Sequence, residues 1–141
     1  MSWKPPTDEQ VKQLLLDSKT VAIVGISNKP DRASYQVAQW LQQNSHFTLF
    51  FVNPVIDEVL GQKTYASLAD IEEKIDIVDV FRKAEDCPPV LDKAIAAGAA
   101  SIWLQLGISN DEVAENGESA DMKVVMDRCI KIDYANLCSV R

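Results

Sequence analysis

The chain has 141 residues, 47% of them hydrophobic and 25% charged, with a formal net charge of −7. That length supports one domain, residues 1–141, with a core that needs no metal or disulfide staple. The acidic balance argues against a general affinity for nucleic acid, which needs a basic face to displace counterions, and it obliges an anionic ligand to find local cations.

Trp3, Pro5 and Pro6 lead into a first helix. Thr7 with Gln10 matches a capping box, and Val11, Leu14 and Leu15 form an apolar stripe ended by Asp17 to Lys19. The run from Val11 to Leu16 is too short and interrupted for a signal or transmembrane segment. Val21 to Ile26 is nearly all apolar, as expected of a strand covered by helices on both faces. A polar loop follows, then a helix with Ser34 as N-cap and Val37, Trp40 and Leu41 at helical spacing. Phe47 to Val52 reads as a second strand, stopped by Asn53-Pro54 because proline lacks the N–H of a central ladder.

Gly61 marks a turn, and Ser67 caps a short helical turn through Ile71. Ile75 to Phe81 is a third strand interrupted by Asp76 and Asp79, the latter expected to hydrogen-bond backbone near the strand end. Pro88 and Pro89 fit the first turn of the next helix, whose buried stripe is Val90, Leu91, Ala94 and Ile95 and whose C′ residue is Gly98. Ser101 to Leu106 is the fourth strand. Ser109 with Glu112 opens a weak helix stopping near Asn116-Gly117, and Met122 to Met126 is the fifth strand. Asp127 to Leu137 reads as a closing helix with Asp127 as N-cap and with Cys129, Ile132 and Leu137 facing inward. Strands and helices alternate throughout, which predicts an α/β, three-layer, Rossmann-like doubly wound parallel sheet of five strands with an extra N-terminal helix. The leading strand order is 3-2-1-4-5, with the flavodoxin-like 2-1-3-4-5 as competitor.

Ligands in such sheets bind at the carboxyl ends of the strands, so five loops carry the functional reading. The first runs from Gly25 to Ser34 and leads into a helix N-terminus, which favours an anion such as phosphate. A dinucleotide fingerprint would place glycines two and five residues after Gly25, where this chain has Ser27 and Pro30. The loop supplies hydroxyls at Ser27 and Ser34, an amide at Asn28, and cations at Lys29 and Arg32. NAD enzymes usually carry an acid at the end of the second strand, whereas this chain has the neutral Asn53 followed by Pro54. At the third strand end Arg82 is the leading cation, and Phe81 offers an apolar surface. Gln105 and Gly107 mark the fourth loop, where backbone can approach a ligand closely.

The fifth loop places Cys129 beside Arg128 near a helix start, where its thiol pKa could be lowered, although no base stands ready to activate it and a buried structural cysteine is the alternative. Cys87, Cys129 and Cys138 are an odd number without zinc-type spacing, which fits reduced thiols in a cytoplasmic protein. With His46 as the only histidine, mechanisms that need two imidazoles are excluded.

Taken together, AIVGISNKPDRASYQVAQWL, FVNP with LGQKTYASLADI, IDIVDVFRKAE, AIAAGAASIWLQLGI and VVMDRCIKIDY span almost the whole chain. In this order they resemble the stand-alone coenzyme A-binding domain proteins (the YccU-like family), relatives of the CoA-binding domain of the succinyl-CoA synthetase α subunit. The resemblance implies a Rossmann-like domain with coenzyme A at the carboxyl edge. Gly25, Ser27, Arg32 and Ser34 would belong to its phosphate loop, Asn53, Pro54, Val80, Phe81 and Arg82 would lie along the nucleotide, and Gln105, Leu106 and Gly107 near the pantetheine path. Asn28 and Lys29 join this set from the reading of the loop itself. Asn116 to Asp121 departs from the family pattern.

The expected function is CoA or acyl-CoA binding by a monomer or weak homo-oligomer, without an assigned catalytic group and with no nucleic-acid or membrane partner. The alternatives are a small NAD(P)-dependent oxidoreductase, a CoA-thiol-handling enzyme using Cys129, and a CoA-responsive regulatory module.

Overall fold

The computed structural model describes residues 3–138. Helix α1 (Asp8–Asp17) opens with the expected capping box, Thr7 and Gln10 satisfying each other's backbone N–H groups, and buries Val11, Leu14 and Leu15. Strand β1 (Thr20–Val24) leads through the polar loop into α2 (Ala33–Asn44) and then β2 (Thr48–Val52). A short antiparallel hairpin, β3 (Glu58–Val59) with β4 (Gln62–Lys63), and a 3-10 turn at Leu68–Asp70 fill the connection to β5 (Ile77–Val80). Then come α3 (Cys87–Ala96), β6 (Ser101–Leu104), α4 (Asp111–Ser119), β7 (Lys123–Val125) and α5 (Ile130–Asp133), the last continuing as a π-helical turn at Tyr134–Cys138.

The main sheet has five strands, all parallel, in the order β2-β1-β5-β6-β7. Counted within this sheet the order is 2-1-3-4-5, so the Rossmann-like doubly wound class holds and the leading order 3-2-1-4-5 is corrected to its competitor. The reason lies in the connection after β2. Leu68, Ile71 and Ile75 pack on the sheet face that α3 and α4 cover, whereas α1, α2 and α5 cover the other face. Right-handed crossovers on opposite faces advance the chain in opposite directions. A connection on the α3 face therefore carries the chain past β1 and into the interior position held by β5, whose four residues are all buried.

Several local expectations change for equally specific reasons. Arg32 occupies the N-cap of α2 without a side-chain bond, and Ser34 instead turns inward to accept the Ser27 N–H at 2.9 Å. Asn110 caps α4 in place of Ser109 and accepts the Val113 N–H at 3.0 Å. Helix α4 runs on through Asn116-Gly117 because Gly117 lies flat against β7, where an added Cβ would stand 2.6 Å from the Val124 side chain. Helix α5 starts only at Ile130 with Cys129 at its N-cap, so Asp127 does not cap it; Asp127 has a left-handed backbone, φ 59°, and its carboxylate accepts the Gly107 N–H. Ile95 and Ile132 face solvent, at 39% and 49% exposure, rather than the core. Gly98 keeps its expected place after α3 with φ 74°.

Both outer strands have partners along their free edges. On β2, the Gln62 amide donates to the Leu49 carbonyl at 3.1 Å and the Tyr65 N–H to the Phe51 carbonyl at 2.8 Å. On β7, the Trp3 indole donates to the Val124 carbonyl at 3.0 Å. The most unusual core residue is Asp79. It is fully buried in β5 between Ile23 and Trp103 on the neighbouring strands, and its pleat directs it toward the face covered by α1, α2 and α5. Neither carboxyl oxygen has a hydrogen-bond partner, contrary to the expected backbone contact, and burial pushes its pKa well up.

Candidate ligand-binding cleft

The first turn away from the sheet is set by Gly25. It adopts φ 88°, donates its N–H to the Val52 carbonyl at 3.2 Å, and sits so close to β5 that an added Cβ would lie 2.6 Å from the Phe81 carbonyl oxygen. Only glycine fits both the conformation and the approach. The loop is then fixed from within, as the Ser27 hydroxyl accepts the Lys29 N–H at 3.0 Å and the Arg32 N–H donates to the Lys29 carbonyl at 3.0 Å. Asn53 ties this loop to the one after β2. Its amide donates to the Ile26 carbonyl at 2.7 Å, and its Oδ1 accepts the N–H groups of Val55 at 2.7 Å and Ile56 at 3.3 Å.

Between these loops, the 3-10 turn and α3 lies a cleft of about 510 Å³. Of the expected site residues, Gly25, Ser27, Asn28, Lys29, Arg32, Asn53, Pro54 and Arg82 line it. Ser34, Val80, Phe81, Gln105, Leu106 and Gly107 are not among its lining residues. Val80 is fully buried in β5. Gln105 is buried with its Oε1 accepting the Ile130 N–H at 3.1 Å, and the Gly107 N–H is taken by Asp127 at 2.6 Å. Leu106, 62% exposed, stands on the carboxyl edge away from the cleft lining.

Sequence reasoning missed Val55, Ser67, Leu68, Val90 and Lys93 as lining residues. Lys93 was legible in principle, since it follows Val90 by one helical turn and so shares its side of α3.

The electrostatics of the cleft run against those of the whole chain. Lys29, Arg32, Arg82 and Lys93 all line it, yet the ion pairs among the described residues are both made by Arg128, with Asp8 at 2.8 Å and Asp133 at 2.7 Å. An exposed cation that forms no ion pair in a chain of net charge −7 is free to meet an external anion. The first turn of α2 adds backbone N–H groups that no side chain caps. No cluster of acidic, histidine or cysteine side chains suited to a metal ion occurs among the described residues.

Neither Cys87 nor Cys129 lines the cleft. Burial first, and the Asp86 carboxylate second, raise the pKa of Cys87 against the opposing pull of Arg82. Cys129 is half-buried against the core. His46 bridges the Tyr134 hydroxyl at 2.8 Å and the Ser18 carbonyl at 2.7 Å, near the opposite end of the sheet. The carbonyl can only accept, so Nε2 carries the proton.

The family profile described as a CoA binding domain matches residues 19–135. The chain belongs to this CoA-binding domain family. The Bacillus subtilis (strain 168) protein YneT is 38% identical over 130 residues, 92% of this chain and 96% of that one. A solved structure of a hypothetical protein from Pyrococcus horikoshii OT3 is 32% identical, with a TM-score of 0.88 and 99% of each chain covered. The ADP-forming acetate–CoA ligase of Methanocaldococcus jannaschii is 24% identical over 122 residues, 81% of this chain but only 17% of the ligase. The chain thus resembles both a protein of its own size and a small part of a larger enzyme. Among the described residues, no helix is long and apolar enough to cross a membrane.

Proposed function

We propose that this protein binds coenzyme A, or an acyl derivative of it, in the cleft between the loops after β1 and β2 and helix α3. The observation that carries the reading is the set of four cations around one cleft, Lys29, Arg32, Arg82 and Lys93, none of them ion-paired. A ligand with several phosphates would supply the missing charges, and the backbone of the Gly25 loop would let it approach closely. Membership of the CoA-binding domain family supports the same ligand.

NAD is the weaker fit. Asn53 ends β2 where an acid would receive the ribose hydroxyls, and its Oδ1 already serves Val55 and Ile56. The reading assigns no reaction, because the cleft brings together donors and cations but no nucleophile paired with a base.

Thermal denaturation with added ligand tests the proposal. A ligand that binds only the folded chain raises its stability by about 2.7 kcal/mol at a hundred times its Kd. CoA is expected to raise Tm, whereas NAD and NADP at equal concentration leave it unchanged. The reverse pattern would overturn the assignment.

A further inference from the structure

The four cations of the cleft do not stand at one level. Lys29 and Arg32 belong to the loop that enters α2, and Arg82 lies two residues past the end of β5, so three of them stand at the carboxyl edge of the sheet. Lys93 comes from α3, which starts at that edge with Cys87 and runs back toward the start of β6. Six residues along a helix at 1.5 Å rise set its backbone roughly 9 Å back from the edge. Lys93 also stands where the cleft opens into an adjoining groove of about 490 Å³, along the 3-10 turn and the end of α3, and the two share Ser67, Leu68 and Lys93. Asp92, its neighbour in sequence, forms no ion pair with it.

Coenzyme A carries its negative charge in the same two-station pattern. A pyrophosphate joins the ribose 5′-oxygen to the pantetheine arm, and a separate phosphate sits on the ribose 3′-oxygen. Given that CoA is the ligand, we propose that Lys93 is a specificity-determining residue of this cleft, reading the 3′-phosphate that distinguishes coenzyme A from its dephospho form. The three edge cations then serve the pyrophosphate. A lysine suits the outlying station, because a flexible point charge reaches a single terminal phosphate without fixing the ribose in one orientation.

Calorimetric titration of the full chain with coenzyme A and with 3′-dephospho-CoA tests this, using the wild type and Lys93→Met, which keeps the aliphatic stem and removes the charge. The wild type is expected to bind CoA about tenfold more tightly than dephospho-CoA, the scale of one charge-assisted hydrogen bond. Lys93→Met is expected to bring CoA down to the dephospho-CoA level while leaving dephospho-CoA within about twofold of its wild-type affinity. Equal wild-type affinity for the two ligands overturns the inference while leaving CoA binding intact. So does a variant that weakens both alike. Failure of the wild type to bind either ligand overturns the CoA reading itself, and the inference with it.

Discussion

Replacing Asp79 with valine is expected to raise the stability of the fold by an amount that grows with pH. The carboxyl group is fully buried, and neither oxygen is hydrogen-bonded. An unsatisfied buried polar group costs about 1–3 kcal/mol, and a β-branched side chain of similar size suits a central strand. Even with the acid protonated, Asp79→Val should therefore gain about 1–3 kcal/mol, or about 2–4 °C in Tm for each kcal/mol in a domain of this size.

The pH dependence separates this cause from ordinary repacking. Burial raises the folded pKa of Asp79, so the unfolded chain releases the proton first. Below the unfolded value, near 3.9, both states hold the proton and the contribution of the neutral acid is fully present. Between that value and the raised folded one, the native state holds a proton that the unfolded state lacks. Wild-type stability then falls by up to about 1.4 kcal/mol per pH unit, a slope the variant lacks. Urea denaturation of both proteins from about pH 4 to about pH 9 reads the difference directly. A gap that stays constant with pH, or a variant less stable throughout, would refute the picture of an orphaned acid.

Three further substitutions address the α1–α5 contact and the turn that opens the cleft. Arg128 holds the mostly buried Asp133 through Nε at 2.7 Å and Nη2 at 3.2 Å, and Asp8 of α1 through Nη2 at 2.8 Å. Arg128→Ala is expected to cost about 2 kcal/mol by stranding Asp133, whereas Asp8→Asn, at a side chain 74% exposed, costs less than about 1 kcal/mol. Equal losses in chemical denaturation would contradict that ranking. Gly25→Ala meets both a left-handed backbone and a 2.6 Å approach to the Phe81 carbonyl, so a loss of about 1–3 kcal/mol is expected, together with weaker CoA binding. A variant of unchanged stability would mean that the turn relaxes freely.

The layered architecture was legible because near-continuous apolar strands alternate with striped helices, and each signal is local. Strand order was not, because it turns on which face the segment after β2 packs against, and the spacing of Leu68, Ile71 and Ile75 does not say which face that is. In the cleft, exposed loop cations such as Arg32 and Arg82 could be found, since charge in an acidic chain is conspicuous. Ser34 and Gln105 look like ligand donors in sequence, but internal N–H groups use their oxygens. Sequence alone does not say whether a polar side chain serves a ligand or the fold. Lys93 escaped for the opposite reason, as a charged residue on an amphipathic helix reads as solvated until the facing wall is known.

The Trp3 indole on the Val124 carbonyl has a consequence for how the molecule behaves in company. A bare outer strand is a template on which a neighbouring chain can lay its own backbone, and that is how sheets begin to polymerise. Here a single side chain close to the N-terminus blocks one end of the sheet, while Gln62 and Tyr65 block the other. Trimming or fusing the chain just before α1 would therefore bear less on the cleft than on whether concentrated protein stays in solution.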